Sequence, residues 1–252
     1  MDLGLKDKKV LITGGSKGIG KGIAKSFIEE GASVLIVARS QEGLAAAEKE
    51  LAQVHTLQAD LTNETERERV YAQALETFGG IDVLINNVGA SNGGKIEETS
   101  MQQFEEAMAL NYFSAVHFSK LVLPGMKTKG EGSIVNISSI FGRESGGKAT
   151  YNNAKAAMIS FTKALADEAI QDGIRVNSVA PGAILHPDGN WQKRLDENPD
   201  KINQFVQEQI PAGRFGTVEE IADVVTFMAS DKASWISGAS LNVDGGQSKM
   251  NM

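Results

Sequence analysis

Tyr151 and Lys155 stand four residues apart in the stretch YNNAK, so on a helix they share one face. A free phenol titrates at about 10 and keeps its proton at neutral pH. A neighbouring ammonium stabilises the phenolate and lowers that value, which makes the pair a general acid or base near working pH. The pattern alone also fits an ordinary helix face. It gains weight from Ser138-Ser139, which end the apolar run GSIVNISS (132–139) a few residues upstream. In an open parallel sheet, the C-terminal end of a strand is where ligands bind.

A second stretch, LITGGSKGIGKGIA (11–24), reads in two ways. Gly14-Gly15-Ser16-Lys17-Gly18 fits G-x-S-x-G, the turn that presents a nucleophilic serine in many hydrolases. It is equally a glycine-rich loop between a strand and a helix, suited to cradling a phosphate. A nucleophile elbow needs an oxyanion-hole loop from an earlier strand–helix junction, and here none precedes the motif. A nucleotide loop belongs after the first strand, where the helix N-terminus attracts pyrophosphate. Gly14 then allows the tight turn, Gly18 admits a phosphate to the backbone, and Gly20 lets the helix pack close to the sheet. The spacing, G-x-x-x-G-x-G, is not the common G-x-G-x-x-G. The second strand ends in IVARS, with Arg39 where an NAD-reading fold places an acid. Together with Lys17 in the loop, Arg39 offers positive charge to a 2′-phosphate, so NADP(H) is expected over NAD(H).

These residues sit among alternating strand and helix patterns. Strands are predicted at 8–13, 32–39, 54–60, 81–89, 132–139, 174–182 and 238–246, and helices at 18–31, 42–53, 65–80, 101–128, 149–173 and 218–231. Strands apolar throughout and separated by helices imply a parallel sheet covered on both faces, doubly wound by right-handed crossovers. The expectation is one α/β domain over residues 1–252 with about seven strands. Residues 183–217 lack a strand pattern and are too long for a simple connection, so they are expected to form a lid.

Composition narrows the functions. The 252-residue chain carries a formal net charge of −7 and has no cysteine. Disulfides and thiolate catalysis are excluded, and the charge argues against nucleic acid as the main partner. No apolar run is long enough to span a membrane, and MDLGLKDKKV holds no secretory apolar region, so a cytoplasmic protein is expected. No His/Asp/Glu cluster has metal-ligand spacing, so no metal is expected. His55 and His117 are expected to be structural.

The motifs TGGSKGIG (13–20), DL (60–61), NNVG (86–89), LNYFS (110–114), IVNISS (134–139), YNNAK (151–155), RVNSVAPG (175–182) and NVDGG (242–246) occur in this order nearly end to end. Taken together they resemble the short-chain dehydrogenases/reductases of the non-extended type, which have a Rossmann fold. The resemblance implies an NADP(H)-dependent oxidoreductase that interconverts a secondary alcohol and a ketone. Tyr151 would pass the proton, and Lys155 would tune it and hold the nicotinamide ribose. A serine of the SS pair would bond the substrate carbonyl, and Asn111 would hold a water in the proton relay. Gly14, Ser16, Lys17, Gly18, Ile19 and Gly20 would form the cofactor loop, with Arg39, Asp60 and Leu61 around the adenosine. Asn86, Asn87 and Gly89 would meet the cofactor at the fourth strand, and Pro181, Gly182 and Ile184 beside the nicotinamide. Two enzyme readings stay open, a 3-oxoacyl-thioester reductase and a sugar or polyol dehydrogenase. From another class, a catalytically silent nucleotide-binding sensor or scaffold uses the same fold.

The chain departs from the family pattern in three places. Val88 replaces an alanine. The loop before Tyr151 is a residue short, so strand register selects Ser139 and counting back from Tyr151 selects Ser138; packing fixes strand register, which favours Ser139. His186 stands near the place of a carboxamide-binding threonine, as a substitute for it, a substrate contact or a surface residue. In the lid, Trp191 and Arg194 would meet substrate or pack the lid down, alongside Lys193, Phe205 and Arg214. Arg143, Glu144 and Lys148 would rim the mouth, while Lys127 and Lys129 are weak candidates for docking an acyl carrier. The apolar helices over 104–122 and 156–170 suggest a homotetramer or homodimer.

Overall fold

The structure, a computed structural model, describes residues 2–250. Seven parallel strands form one sheet: β1 (Lys9–Thr13), β2 (Ser33–Ala38), β3 (His55–Gln58), β4 (Val83–Asn86), β5 (Gly132–Ile137), β6 (Ile174–Pro181) and β7 (Ser240–Val243). Their order is β3-β2-β1-β4-β5-β6-β7. The chain steps outward from β1 to β3, then returns to place β4 on β1's other side, which makes the β1/β4 boundary the topological switch point where ligands bind in such sheets.

Each face of the sheet has its own apolar layer. On one, Ile23, Ala24 and Phe27 of α1 (Gly18–Glu29) and Ile221, Val225 and Met228 of α9 (Val218–Ala229) pack with Leu44 and Ala47 of α2 (Gln41–Glu50). On the other, Val70 and Ala74 of α3 (Glu64–Phe78), Phe118, Val122 and Met126 of α5 (Ser114–Lys129) and Leu165, Ala166 and Ala169 of α6 (Ala149–Ala169) cover the strands. Both faces being buried is why β1, β2, β4 and β5 read as unbroken apolar runs. The outermost strand, β3, is exposed at both ends.

Two segments differ from the sequence expectation. The single helix expected over 101–128 is α4 (Met101–Met108), a π-helical turn (Ala109–Phe113) and α5. Side-chain periodicity does not reveal one inserted residue, and such turns are frequent at functional sites. The lid contains regular structure, α7 (Asn190–Glu197) and α8 (Pro199–Gln209), with Pro199 at the start of α8 and the Asn198 side chain capping it. The root of the lid is pinned. The Leu185 amide donates to the Gly216 carbonyl (3.0 Å) and the Gly216 amide to that of Ala183 (3.0 Å).

Candidate active site

The loop after β1 turns through Gly14 at φ +71. A Cβ on Gly20 would lie 2.2 Å from the Gly14 carbonyl oxygen, so only glycine lets the first turn of α1 cross the loop here. Asn87 braces the loop from the end of β4, its Nδ2 donating to the carbonyls of Thr13 (3.0 Å) and Gly14 (2.8 Å). The N-terminus of α1 has no side-chain cap and no acid in its first turn. Such a terminus presents unpaired N–H groups and positive dipole, which is the chemistry a pyrophosphate needs. Ile19 packs its side chain against the core, leaving its backbone to the loop. Ser16 lies beside the start of α2, with its Oγ 3.3 Å from where a Gly43 Cβ would be, and Lys17 is exposed.

Arg39 is exposed at the end of β2. Ser40, not singled out in the sequence, caps α2 by accepting from the Gly43 amide (3.0 Å). Its position just before an N-terminal helical run was the available signal. Asp60 is held below the usual carboxylate range first by the Thr62 backbone amide, then by the Thr62 hydroxyl and the charge of Arg39. Leu61 is buried, and its carbonyl accepts from Arg67 Nη1 (2.8 Å). Glycine loop, Arg39 and Asp60 therefore line one continuous rim at the C-terminal ends of β1, β2 and β3.

The catalytic candidates lie one step along the sheet. Lys155 is 2 % exposed, and its ammonium donates to the Ile137 carbonyl (2.7 Å) and stands 5.5 Å from the centroid of the Tyr151 ring. Gly89 shows how these groups converge: a Cβ there would lie 2.7 Å from Asn111 Oδ1 and 3.4 Å from Lys155 Nζ. Asn111, in the π turn, donates to the carbonyls of Ala90 (2.9 Å) and Ala107 (2.9 Å) and accepts from the Ala90 amide (3.0 Å). Both its N–H donors are engaged, so its side chain is a brace between helix and loop. Ser139 Oγ accepts from the Phe141 amide (3.2 Å) and lies close enough to the Tyr151 phenol to lower its pKa, while Ser138 is turned into the sheet, against Ser178 Oγ (3.1 Å) and the Val179 carbonyl (3.0 Å).

The electrostatics differ from the sequence expectation. Burial pushes the Tyr151 phenol up to about 12, with the Ser139 hydrogen bond opposing it. Burial also pushes the Lys155 ammonium down to about 7. The ammonium faces the ring of Tyr151 and is engaged by Ile137, so desolvation outweighs its pull on the hydroxyl.

Other expectations sort by what the side chains touch. Asn86 lies inside the sheet, donating to Asn136 Oδ1 (2.8 Å). Pro181 is buried, Ile184 forms an isolated parallel bridge with Gly216, and Gly182 backs onto Asp244 and Gln247. Trp191 stacks on Phe205 (4.7 Å between centroids) and Arg194 lies over its ring (5.0 Å), so these residues pack the lid on itself. Arg214 is paired with Glu220 at 2.6 Å. Arg143 is tied to β7 through the Ser240 carbonyl (2.7 Å), and Glu144 accepts from the Lys249 amide (3.0 Å). Lys127 and Lys129 pair with Asp172 and Asp82 at the end of α5, where the chain enters β5, opposite the catalytic end of the sheet. A cavity of about 460 Å³ lies within the lid, lined by Leu185, Leu195, Val206, Arg214 and Phe215 but by no candidate catalytic residue.

Among the described residues, Glu64, Glu68 and His117 come within metal-binding reach of one another although sequence spacing did not suggest it. His117 Nδ1 accepts from Arg67 Nε (3.0 Å), which leaves the proton of the neutral ring on Nε2, the nitrogen facing Glu64. His55 packs edge-on against Phe78. Among the described residues, no helix is long and apolar enough to cross a membrane.

A sheet of this order, with a capless glycine loop at the switch point and a tyrosine–lysine–serine cluster beside it, defines a nucleotide-dependent oxidoreductase. The chain belongs to the short-chain dehydrogenase/reductase family, and it is an NAD(P)-dependent enzyme of ketone and alcohol redox chemistry. A family model described as enoyl-(acyl carrier protein) reductase matches residues 14–248. The chain is 37% identical to the 3-oxoacyl-[acyl-carrier-protein] reductase of Vibrio cholerae serotype O1, over 97% of this chain and 98% of that one. It is 34% identical to the D-beta-hydroxybutyrate dehydrogenase of Cupriavidus necator, over 96% and 98%. The L-sorbose reductase of Gluconobacter frateurii, solved with NADPH and L-sorbose, superposes with a TM-score of 0.92 at 33% identity, covering 99% of this chain and 100% of that one.

Proposed function

We propose that this protein is an NADPH-dependent reductase of a small polar ketone, with Tyr151 as the acid. The convergence of Asn111, Lys155 and Gly89 beside the Ser139–Tyr151 pair carries this reading. When bound, the dinucleotide supplies the hydride. Ser139 orients the substrate oxygen, and Tyr151 gives that oxygen its proton as negative charge develops on it. A phenol held high by burial keeps its proton until then, which suits the reductive direction. Lys155 donates to the Ile137 carbonyl and has a weak contact with Met158 Sδ (4.0 Å), a poor acceptor that leaves its remaining N–H groups for ribose hydroxyls. Gly14, Gly18 and Gly20 with the α1 N-terminus fit the pyrophosphate. Arg39, Ser16 and Ser40 at the start of α2 fit a 2′-phosphate, in line with the NADPH of the sorbose reductase structure.

A reductase of acyl-carrier thioesters is the second reading, favoured by the name of the Vibrio cholerae relative. The position of Lys127 and Lys129 weighs against it, because a carrier docked there would be a sheet's length from Tyr151. NADPH oxidation with hydroxy-ketones, oxo-acids, 3-oxoacyl esters and thioesters, against Tyr151→Phe, separates these readings from each other and from a silent scaffold. Turnover of the thioesters alone reverses the substrate assignment, and no turnover of any ketone removes the enzyme reading.

The enzyme is further proposed to be a homotetramer or homodimer. Trp235 is fully exposed beside the unpaired edge strand β7, where Leu241 is 43% exposed, and Met101 and Phe113 are exposed on the α4–α5 side. Two apolar faces on one protomer fit closed symmetric assembly, which sedimentation equilibrium measures.

A further inference from the structure

His186, which opens the turn into α7, lies against the glycine loop. A Cβ built on Gly18 would stand 2.8 Å from both Cε1 and Nε2 of its ring, and one on Gly189 would stand 2.9 Å from Nε2. The turn is closed by the Gly189 amide donating to the His186 carbonyl (2.9 Å). The imidazole is thus wedged between a glycine of the lid and the first residue of α1. Its Nδ1 is buried without a hydrogen-bond partner. An unpaired buried ring nitrogen is unfavourable, and in a folded protein it marks a place where a partner is missing. Below the ring, the leading N–H groups of α1 also lack a side-chain cap. The Cε1–Nε2 edge of the ring thus lies against the first residue of this uncapped terminus.

We propose that His186 is a ligand of the cofactor's pyrophosphate, donating from its imidazolium to the phosphate oxygens at the start of α1 and so tying the lid to the bound dinucleotide. This rests on the dinucleotide reading above but goes beyond it, because the glycine loop needs no histidine to bind a phosphate. The charged groups facing the ring are Lys17 in the glycine loop, Lys21 on α1 and Asp188 on the lid turn. In the free protein, burial holds His186 below its ordinary value, Asp188 opposes this, and Lys17 and Lys21 add to it. Lys21 is itself paired with Glu50 (2.7 Å). A bound pyrophosphate reverses the balance and raises the histidine. A group whose pKa rises on binding takes up a proton, so affinity is greatest at low pH and falls as pH climbs through the free and then the bound value.

The test is equilibrium binding by nucleotide fluorescence from pH 5.5 to 8.5, with wild type, His186→Gln and His186→Thr, each checked for folding by circular dichroism. NADH is the cleaner probe because its pyrophosphate stays ionised throughout, and NADPH adds the titrating 2′-phosphate. Wild type is expected to lose about tenfold more NADH affinity across the range than either variant, since one unit of pKa shift is one decade in binding. Adenosine 2′-phosphate, which lacks the pyrophosphate, is expected to bind all three alike. With 3 histidines in the chain, NMR of the labelled rings reads the same event directly, as an upward shift of one pKa on adding NADP+. Equal pH slopes in wild type and variants, or an unmoved histidine, overturn the proposal. Tighter binding by the variants also overturns it, because it makes the ring an obstruction over Gly18. If wild type binds neither NADPH nor NADH at any pH, the dinucleotide reading itself has failed.

Discussion

The Lys155 ammonium sits over the face of the Tyr151 ring, 5.5 Å from its centroid, while its hydrogen bond goes to the Ile137 carbonyl at 2.7 Å. The lysine is placed by the strand and presented to the tyrosine from the side. Burial drives the two groups in opposite directions, the phenol to about 12 and the ammonium to about 7. In the cofactor-free protein both therefore lean toward their neutral forms.

That leaning has a consequence for stability. A lysine at about 7 in the folded chain and about 10.4 unfolded binds fewer protons folded than unfolded between those values. Stability then rises with pH across that window, and below about 7 the full penalty of the buried charge is present. Lys155→Met is expected to stabilise the cofactor-free protein at pH 6–7 by a few kcal/mol, of which about 1 is offset by the lost bond to Ile137. The gain should shrink toward pH 10. Urea unfolding of both proteins at pH 6.5 and 9.5 measures this, and a gain that grows with pH contradicts it.

Tyr151→Phe removes the proton donor and leaves the ring. Ketone reduction is expected to fall by about 10²–10⁴-fold, the range of general acid catalysis. NADPH affinity should hold, because the glycine loop and Arg39 are untouched. Stopped-flow fluorescence reports binding and hydride transfer separately, and a variant that still turns over at wild-type rate excludes Tyr151 as the acid.

Ser138 and Ser139 are neighbours with opposite expectations. Ser139→Ala should lower kcat with only a modest loss of stability, about 0.5–1.5 kcal/mol, because its hydroxyl faces Tyr151 and also accepts from the Phe141 amide. Ser138→Ala should instead destabilise the fold by about 1–3 kcal/mol, since the hydroxyl is buried between Ser178 and the Val179 carbonyl, and should spare turnover in the folded fraction. Thermal melts and single-turnover rates of both variants decide the pair, and the reverse pattern moves the substrate contact to Ser138.

The sheet was legible because both its faces are buried, which writes strands as apolar runs and glycines as their ends. Gly14, Gly18 and Gly20 were legible for the same kind of reason, since backbone geometry leaves few residue choices there. The π turn around Asn111 was not, because one extra residue leaves no trace in side-chain periodicity. Nor were the helices of the lid, whose apolar contacts, Trp191 on Phe205 and Phe215, join residues far apart in sequence. Tyr151's charge balance was misjudged for a related cause. Spacing tells which residues share a helix face, but desolvation depends on the whole surrounding fold.

Arg39 is exposed at the end of β2 and is the residue proposed to select NADP(H) over NAD(H). It stands beside Asp60, whose carboxyl it helps to lower, and at the start of α2, where the Ser40 hydroxyl is engaged with the Gly43 amide. A planar guanidinium suits the 2′-phosphate of NADP(H) in bidentate fashion, whereas an aspartate there would bond the free 2′-hydroxyl of NAD(H) and repel a phosphate. Arg39→Asp is therefore expected to weaken NADPH binding by about tenfold or more, each 1.4 kcal/mol of lost charge pairing being one decade, and to improve NADH binding. The wild-type preference should also weaken with added salt, since an exposed charge pair is screened. Titration of both reduced cofactors against wild type and variant at low and moderate ionic strength gives the ratio, and an unchanged ratio takes Arg39 out of cofactor selection.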